Sequence, residues 1–517
     1  MAGPVPELED RAAACAERLH EADRVLLASH IDADGLTSAA VASSALERAS
    51  VPFEVVFEKQ LDEDAIARIA RTDYETVWFT DFGSGQLDVI TDYAADGGFT
   101  PVIADHHQPA DADTEFHCNP LLEGLDGASE LSGAGTTYLL ARELAGDCVV
   151  RSPKGENHDE ASGERRERES GPNPPTDPTM TDGGTVATTA RADNRDLAAL
   201  AVVGAVGDMQ ASSGELHGAN AEIVADGVEA GVLEPTTDLA LYGTQTRPLP
   251  KLLEYATDVR IPGISNDQRG AMRFLDGLDL ELRDDAGEWR RWGDLTTAEQ
   301  QTVASALVKH AISRGVPASK IDGLVGTSYQ LTAEPAGTEL RDASEFSTLL
   351  NATARYDRAD VGLAVCLGDR GGALERAREL LRSHRRNLSE GIDLVTTEGV
   401  TNEGHVQWFH AGDRIRETIV GIVAGMALGN EGIDRDRPIL AFAAKSDEPD
   451  AVKVSGRGTH ALVRQGLDLS VVLGEAARHV GGDGGGHDVA AGATVPAGRE
   501  PDFLKRADDL VGEQLGQ

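Results

Sequence analysis

Aromatic residues make up only 4% of this 517-residue chain, and it holds just four cysteines. Cys15, Cys118, Cys148 and Cys366 lie far apart and form no CxxC pair, which argues against a zinc ribbon or a disulfide framework. No run approaches the ~20 apolar residues of a membrane span. The opening MAGPVPELEDRAAAC lacks the basic and apolar regions of a signal peptide, so a cytoplasmic protein without a membrane partner is expected. Positive charge is scarce too: 47 Lys+Arg stand against 88 Asp+Glu, a net charge of −41. Arg greatly outnumbers Lys, and the acids recur along the whole chain. This pattern resembles proteins of extreme halophiles, whose surface carboxylates stay hydrated in concentrated salt. In molar salt the screening length shrinks to about 3 Å, so the global charge does not exclude a nucleic-acid partner.

The length predicts two or three domains. Over roughly the first 145 residues, apolar segments alternate with helical ones. RVLLASH, FEVVFEK, TVWFTDF and TPVIADHH read as strands, with helices between them. Apolar rather than alternating strands, separated by helices, predict a parallel sheet covered on both faces, with ligands beyond the carboxyl ends of its strands. Residues 150–195 have almost no large apolar side chain and read as a disordered polar insertion within a domain spanning 1–215. A mixed, largely helical region follows over 216–345, and a second α/β domain over 346–517. No internal repeat is visible.

Hard metal ligands gather at the ends of these elements. His30, Asp32 and Asp34 stand at alternate positions in HIDADG, Asp81 in TDFG, Asp105, His106 and His107 in ADHH, and Asp208 in GDMQ. Carboxylates with imidazoles and no thiolate suit octahedral Mn²⁺ or Mg²⁺ better than structural zinc. Two such ions sharing a carboxylate place a water for in-line attack on phosphorus. Each motif alone has a plainer explanation: HxDxDG as a helix N-cap, ADHH as a polar turn. Their joint occurrence at strand and helix ends argues for a site.

The series HIDADG, TDFG, ADHH and GD, with a late KVSGRGT and GGDGGGHDVAAGATV, resembles the DHH phosphoesterase superfamily, and within it the archaeal RecJ-like nucleases. The resemblance implies an N-terminal parallel-sheet DHH domain and a C-terminal DHH-associated domain, with the active site in the cleft between them. It implies that His30, Asp32, Asp34, Asp81, His106 and Asp208 bind two divalent metal ions, Mn²⁺ favoured over Mg²⁺, with Asp81 as the bridge. Asp105 would orient a neighbouring histidine, and His107 would contact the scissile phosphate or the leaving oxygen. Ser455, Arg457, Gly485, Gly486 and His487 would clamp the nucleotide.

A predicted helix around GDRGGALERARELLRSHRRNLSEG carries Arg378, Arg382 and Arg385 or Arg386 near one face, as a nucleic-acid track or as a solvated row paired with Glu375 and Glu379. The expected activity is exonucleolytic release of 5′-mononucleotides from single-stranded DNA or RNA in repair or replication, with DNA and 5′→3′ polarity favoured by resemblance. A phosphodiesterase for short oligoribonucleotides or cyclic dinucleotides is the alternative. So is a replication factor, with the GINS complex as its partner and nuclease activity secondary.

Overall fold

The computed structural model describes residues 3–516 except 96, 151–192, 213, 257–258, 431 and 447, and only the backbone of 146–150 and 319. The Cys148 side chain and residues 151–192 of the expected insertion thus lie outside the described residues. Cys15, Cys118 and Cys366 are buried free thiols. No described helix is long and apolar enough to cross a membrane.

The N-terminal sheet has strand order β2-β1-β3-β4-β5, formed by Val25–His30 (β1), Phe53–Glu58 (β2), Thr76–Thr80 (β3), Thr100–Ala104 (β4) and His117–Cys118 (β5), all parallel. Helices α1 (Glu9–Glu21), α2 (Ala33–Ala49), α3 (Glu63–Ala70) and α4 (Leu87–Ala95) cover it, joined by α5 (Gly133–Val150) and α6 (Ala198–Gly207). β1 and β3 are buried almost throughout, as their unbroken apolar sequences require. Ala, Ser and Thr line α2 on every buried face, so α5 and α6 can approach it closely. At Gly204 in α6, an added Cβ would lie 2.5 Å from both Ala134 and Thr37.

Residues 233–331 form their own layer. Strands Leu233–Leu239 (β6) and Val325–Leu331 (β7) pair antiparallel. Between them in sequence lie helices 249–254, 268–276 and 297–313, around a core that includes Leu249, Ile261, Trp292, Val303 and Leu307.

The described residues divide into two compact units, Met1–Ala354 with Arg358–Leu374, and Arg355–Asp357 with Glu375–Gln517. The division thus crosses the chain at residues 354–358 and again inside helix Gly372–Glu398, and most of 343–374 stays with the first unit. The reason is packing: the Asn351 side chain accepts a 3.0 Å hydrogen bond from the Ala33 amide, and Gly362 lies against Leu36.

The second unit is a six-stranded sheet of order β12-β13-β11-β10-β9-β8, antiparallel except for β9 and β10. Its strands are Thr401–Asn402 (β8), Gln407–His410 (β9), Ile439–Ala444 (β10), Ala451–Arg457 (β11), Asp483–Gly486 (β12) and Ala490–Pro496 (β13). Alternation sorts the side chains. Leu440, Phe442, Val452 and Val454 join a core with Leu473 and Phe503, while Ile439, Ala441 and Ala443 pack with Val420 and Val423.

Candidate metal centre

His30 closes β1, and the chain turns at once into α2, with Asp32 as N-cap accepting the Gly35 amide at 3.0 Å. Asp34, in the first turn, is 2% exposed. Its two oxygens accept the amides of Gly133 (2.7 Å) and Ala134 (3.0 Å) at the start of α5. The positive end of a helix thus offsets one buried carboxylate.

Asp81 follows β3 in the left-handed region (φ 60°) and still continues the ladder, its amide donating to the Ala104 carbonyl at 3.0 Å. One of its oxygens lies 3.4 Å from His30 Nδ1 and the other 3.3 Å from His106 Nε2. Three overlapping ligand groups gather around this residue: His30, Asp32 and Asp81; Asp34, His106 and Asp208; and Asp81, Asp105, His106 and His107. Within each group the ligand atoms lie within 4.8 Å of one another. All six residues expected to bind metal come together, from strand and helix ends far apart in the sequence.

Asp105 is fully buried and accepts from the Ser84 amide (2.9 Å), the His106 amide (2.8 Å) and His107 Nδ1 (2.8 Å). Burial works against its charge, but the hydrogen bond from His107 and the charges of His107 and His106 hold its carboxyl at about 2. The His107 side chain is 56% exposed, so its other ring nitrogen is free to face a ligand.

Electrostatics in the metal-free protein match a cation site. Burial, together with Asp81 and Asp208, raises the Asp34 carboxyl, and burial also raises Asp208. Burial opposes charge on His30, but hydrogen bonds to Asp32 and Asp81 carry it up to about 11. His106 is likewise raised against burial by Asp81. Protons on the imidazoles take the place of positive charge that four converging carboxylates demand. The donor set, all oxygen and imidazole nitrogen, fits two hard divalent cations.

Several supporting residues were not foreseen. Gln210 Nε2 donates to Asp208 (2.8 Å) and to the Gly127 carbonyl (2.9 Å), and the same carbonyl lies 2.7 Å from His106 Nδ1. Asn119 Nδ2 donates to Ser84 Oγ and to the His107 carbonyl, each at 2.9 Å. Gln210 lies within the GDMQ segment, but nothing local signals Asn119 or Gly127, whose roles depend on the turn of the chain around His106.

In the second unit, Ser455 is buried in β11 and pairs with Gly492 of β13, which pairs in turn with Gly485 of β12. Gly485 and Gly486 are thus strand residues and not a flexible loop. His487 is exposed just beyond them, its amide donating to the Ala490 carbonyl. Arg457 ends β11, partly buried. On helix Gly372–Glu398, Arg378 pairs with Glu375 at 2.6 Å, so this member of the arginine row lies on an ion-paired face.

Family models match the DHH family N-terminal domain at residues 24–161, the DHH-CID domain at 241–325 and the DHHA1 domain at 404–513. The chain is a DHH superfamily member with a RecJ-like fold. It is similar to an uncharacterised protein of Methanocaldococcus jannaschii, 26% identical over 495 residues, which cover 94% of this chain and 93% of that one. Its fold is that of RecJ in two manganese-bound crystal structures, each 15% identical over 99% of this chain. One, from Thermus thermophilus, has 56% of its own length covered and a TM-score of 0.56; the other, described as an exonuclease, has 96% covered and a TM-score of 0.57. CDC45 from Entamoeba histolytica also shares the fold, at 11% identity, with 98% of this chain and 97% of that one covered and a TM-score of 0.59.

Proposed function

We propose that this chain is a two-metal phosphodiesterase that degrades single-stranded nucleic acid to 5′-mononucleotides, with DNA and 5′→3′ polarity favoured by its RecJ-like character. The observation that carries the reading is Asp81, whose two oxygens face His30 and His106 in separate ligand groups. His30, Asp32 and Asp81 would hold one divalent ion, and Asp34, Asp81, His106 and Asp208 the other. When bound, such ions activate a water and offset charge on the phosphoryl oxygens. RecJ structures of this fold hold manganese or magnesium, and manganese is the ion favoured for this chain by its family resemblance.

The chain's own residues do the rest. Asp105 fixes the ring of His107 through Nδ1, leaving Nε2 to hydrogen-bond the phosphate or the departing oxygen. Asn119 holds the His107 carbonyl and so limits drift of that loop. Ser455, Arg457, Gly485, Gly486 and His487 would bind the nucleotide phosphate. The Ser455–Gly492–Gly485 register, which brings a hydroxyl and bare backbone into one row, supports that role. A second reading, a replication factor partnered by GINS, is supported by the fold shared with CDC45.

The test uses purified full-length protein in molar KCl with Mn²⁺. End-labelled single-stranded DNA and RNA are compared with a dinucleotide and a cyclic dinucleotide, beside Asp81→Ala. Mononucleotides released from the long strands and lost in the variant are expected. Cleavage of the short substrates alone would move the protein to the small-phosphodiesterase class. Silence on every substrate with metal bound would favour the replication-factor reading.

A further inference from the structure

We infer that His117 and Ser84 are positioning residues for His107: a neutral His117 draws the Ser84 hydroxyl proton to its Nε2, and Ser84, held in that orientation, anchors both attachments of the His107 loop. This rests on the phosphodiesterase reading above and deepens it, from the group that meets the phosphate to what keeps that group in place.

Neither residue is a metal ligand. His117 opens the two-residue strand β5, and Ser84 lies just beyond Asp81, where the chain leaves β3. Both are buried, His117 at 3% exposure and Ser84 at 0%. Ser84 is pinned through its backbone: its carbonyl accepts the Ala110 amide at 2.8 Å, and its amide donates to Asp105 Oδ2 at 2.9 Å. Its hydroxyl lies 2.9 Å from His117 Nε2 and 2.9 Å from Asn119 Nδ2.

The place of each proton follows from the partners. Asn119 Oδ1 accepts the Leu121 amide at 2.9 Å, which fixes the orientation of the side-chain amide and turns Nδ2 the other way. The two Nδ2 hydrogens then go to the His107 carbonyl and to Ser84 Oγ, each at 2.9 Å. Ser84 Oγ thus accepts from Asn119, and among the described residues its one other hydrogen-bond partner is His117. If His117 donated from Nε2, the hydroxyl proton would be left without an acceptor in a fully buried position, which is costly. Nε2 is therefore the acceptor, and the imidazole is neutral with its proton on Nδ1. Burial agrees: with Arg11 adding to it and Asp105 opposing, it pushes the His117 imidazole down to about 4.

Two holds on His107 return to this one serine. The ring is held through Asp105, whose Oδ1 accepts from His107 Nδ1 at 2.8 Å while its Oδ2 takes the Ser84 amide. The carbonyl is held through Asn119, whose Nδ2 also bonds the Ser84 oxygen. The His107 side chain is 56% exposed. These holds and the neighbouring His106 ring, 4.3 Å away between centroids, rather than enclosure, set where its Nε2 points.

Variants of the full-length protein separate this role from simple packing. His117→Leu removes the acceptor, Ser84→Ala removes the hydroxyl, and His117→Gln keeps an acceptor, since its Oε1 reaches the place of Nε2. Thermal melting checks that each is folded. With Mn²⁺ and single-stranded DNA, we expect His117→Leu and Ser84→Ala to lower kcat about tenfold, with KM and Mn²⁺ affinity within about twofold of wild type. His117→Gln should restore kcat to within about threefold. The double variant His117→Leu/Ser84→Ala should lose no more than about tenfold, because both changes act through one hydrogen bond. Ring ¹⁵N spectra of histidine-labelled protein with Mg²⁺ give readouts that need no turnover. In wild type near neutral pH the His117 signals, identified by their loss in His117→Gln, should show a bare Nε2 and a protonated Nδ1. The His107 signals should shift or broaden in His117→Leu. A protonated Nε2 on His117 would overturn the inference. So would a folded His117→Leu protein with wild-type kcat and unmoved His107 signals, or a His117→Gln protein as impaired as His117→Leu. If wild type cleaves nothing while the His107 signals respond as expected, the phosphodiesterase reading fails and the positioning stands.

Discussion

Gly133→Ala probes the packing on which Asp81 and Asp34 both depend. Gly133 opens α5 without a positive φ, so alanine is compatible with its backbone and only space is at issue. The added Cβ would lie 2.4 Å from Asp81 Oδ1, 2.8 Å from its Cβ and 2.9 Å from its Cα. Because one of those atoms is backbone, the carboxylate cannot simply rotate away. Asp81 and the α5 terminus must part by something on the order of 1 Å, a displacement that can cost about a hundredfold where geometry is critical. The Gly133 amide also holds Asp34, so both ligand groups are disturbed at once. We expect overpacking to cost about 1–3 kcal/mol of stability, and Mn²⁺ affinity to fall about 10–100-fold. The assay is calorimetric Mn²⁺ titration of folded protein at fixed pH. Gly85→Ala serves as control, since its Cβ would meet nothing nearer than 3.7 Å. Wild-type Mn²⁺ affinity in a folded Gly133→Ala protein would refute that dependence.

Three further outcomes follow from the same geometry. Asp34→Asn turns an Nδ2 donor towards the Gly133 or Ala134 amide, where the carboxylate accepts from both; the protein should melt lower than wild type and gain less from added Mn²⁺, as differential scanning fluorimetry can show. The raised pKa of His30, about 11 when folded against about 6.5 unfolded, contributes stability fully present below pH 6.5 and lost as pH rises towards 11. The melting temperature of metal-free protein should therefore fall between about pH 6.5 and 9, while the increment from Mn²⁺ grows as protons cease to compete; a flat increment would contradict this. Asn119→Ala should lower turnover on a phosphodiester about tenfold or more with Mn²⁺ affinity little changed, because it frees the His107 loop and no ligand.

The N-terminal sheet was readable because its strands are buried on both faces and uninterrupted, and its acids and histidines fall where ligands of parallel sheets lie. The ligand motifs are local: HIDADG, TDFG and ADHH each sit at one strand end. What supports them is not. Gly133, Gly204 and Asn119 act through contacts across the fold, and a glycine in sequence does not disclose which carboxylate it must admit. Asp483–Gly486 is held extended by pairing with β13 although glycine disfavours strands, a long-range effect with no local signal.

Asp34 accepts its two amides from a helix almost a hundred residues further along the chain. Folding and metal loading are therefore bound together in time as well as in space. Until α5 docks, Asp34 is an uncompensated charge, and until cations arrive, the docked helix holds a crowd of carboxylates that resist closure. Amide hydrogens at Gly133 and Ala134 should accordingly exchange quickly in the metal-free chain and slow sharply on loading, which makes this helix start a gauge of maturation.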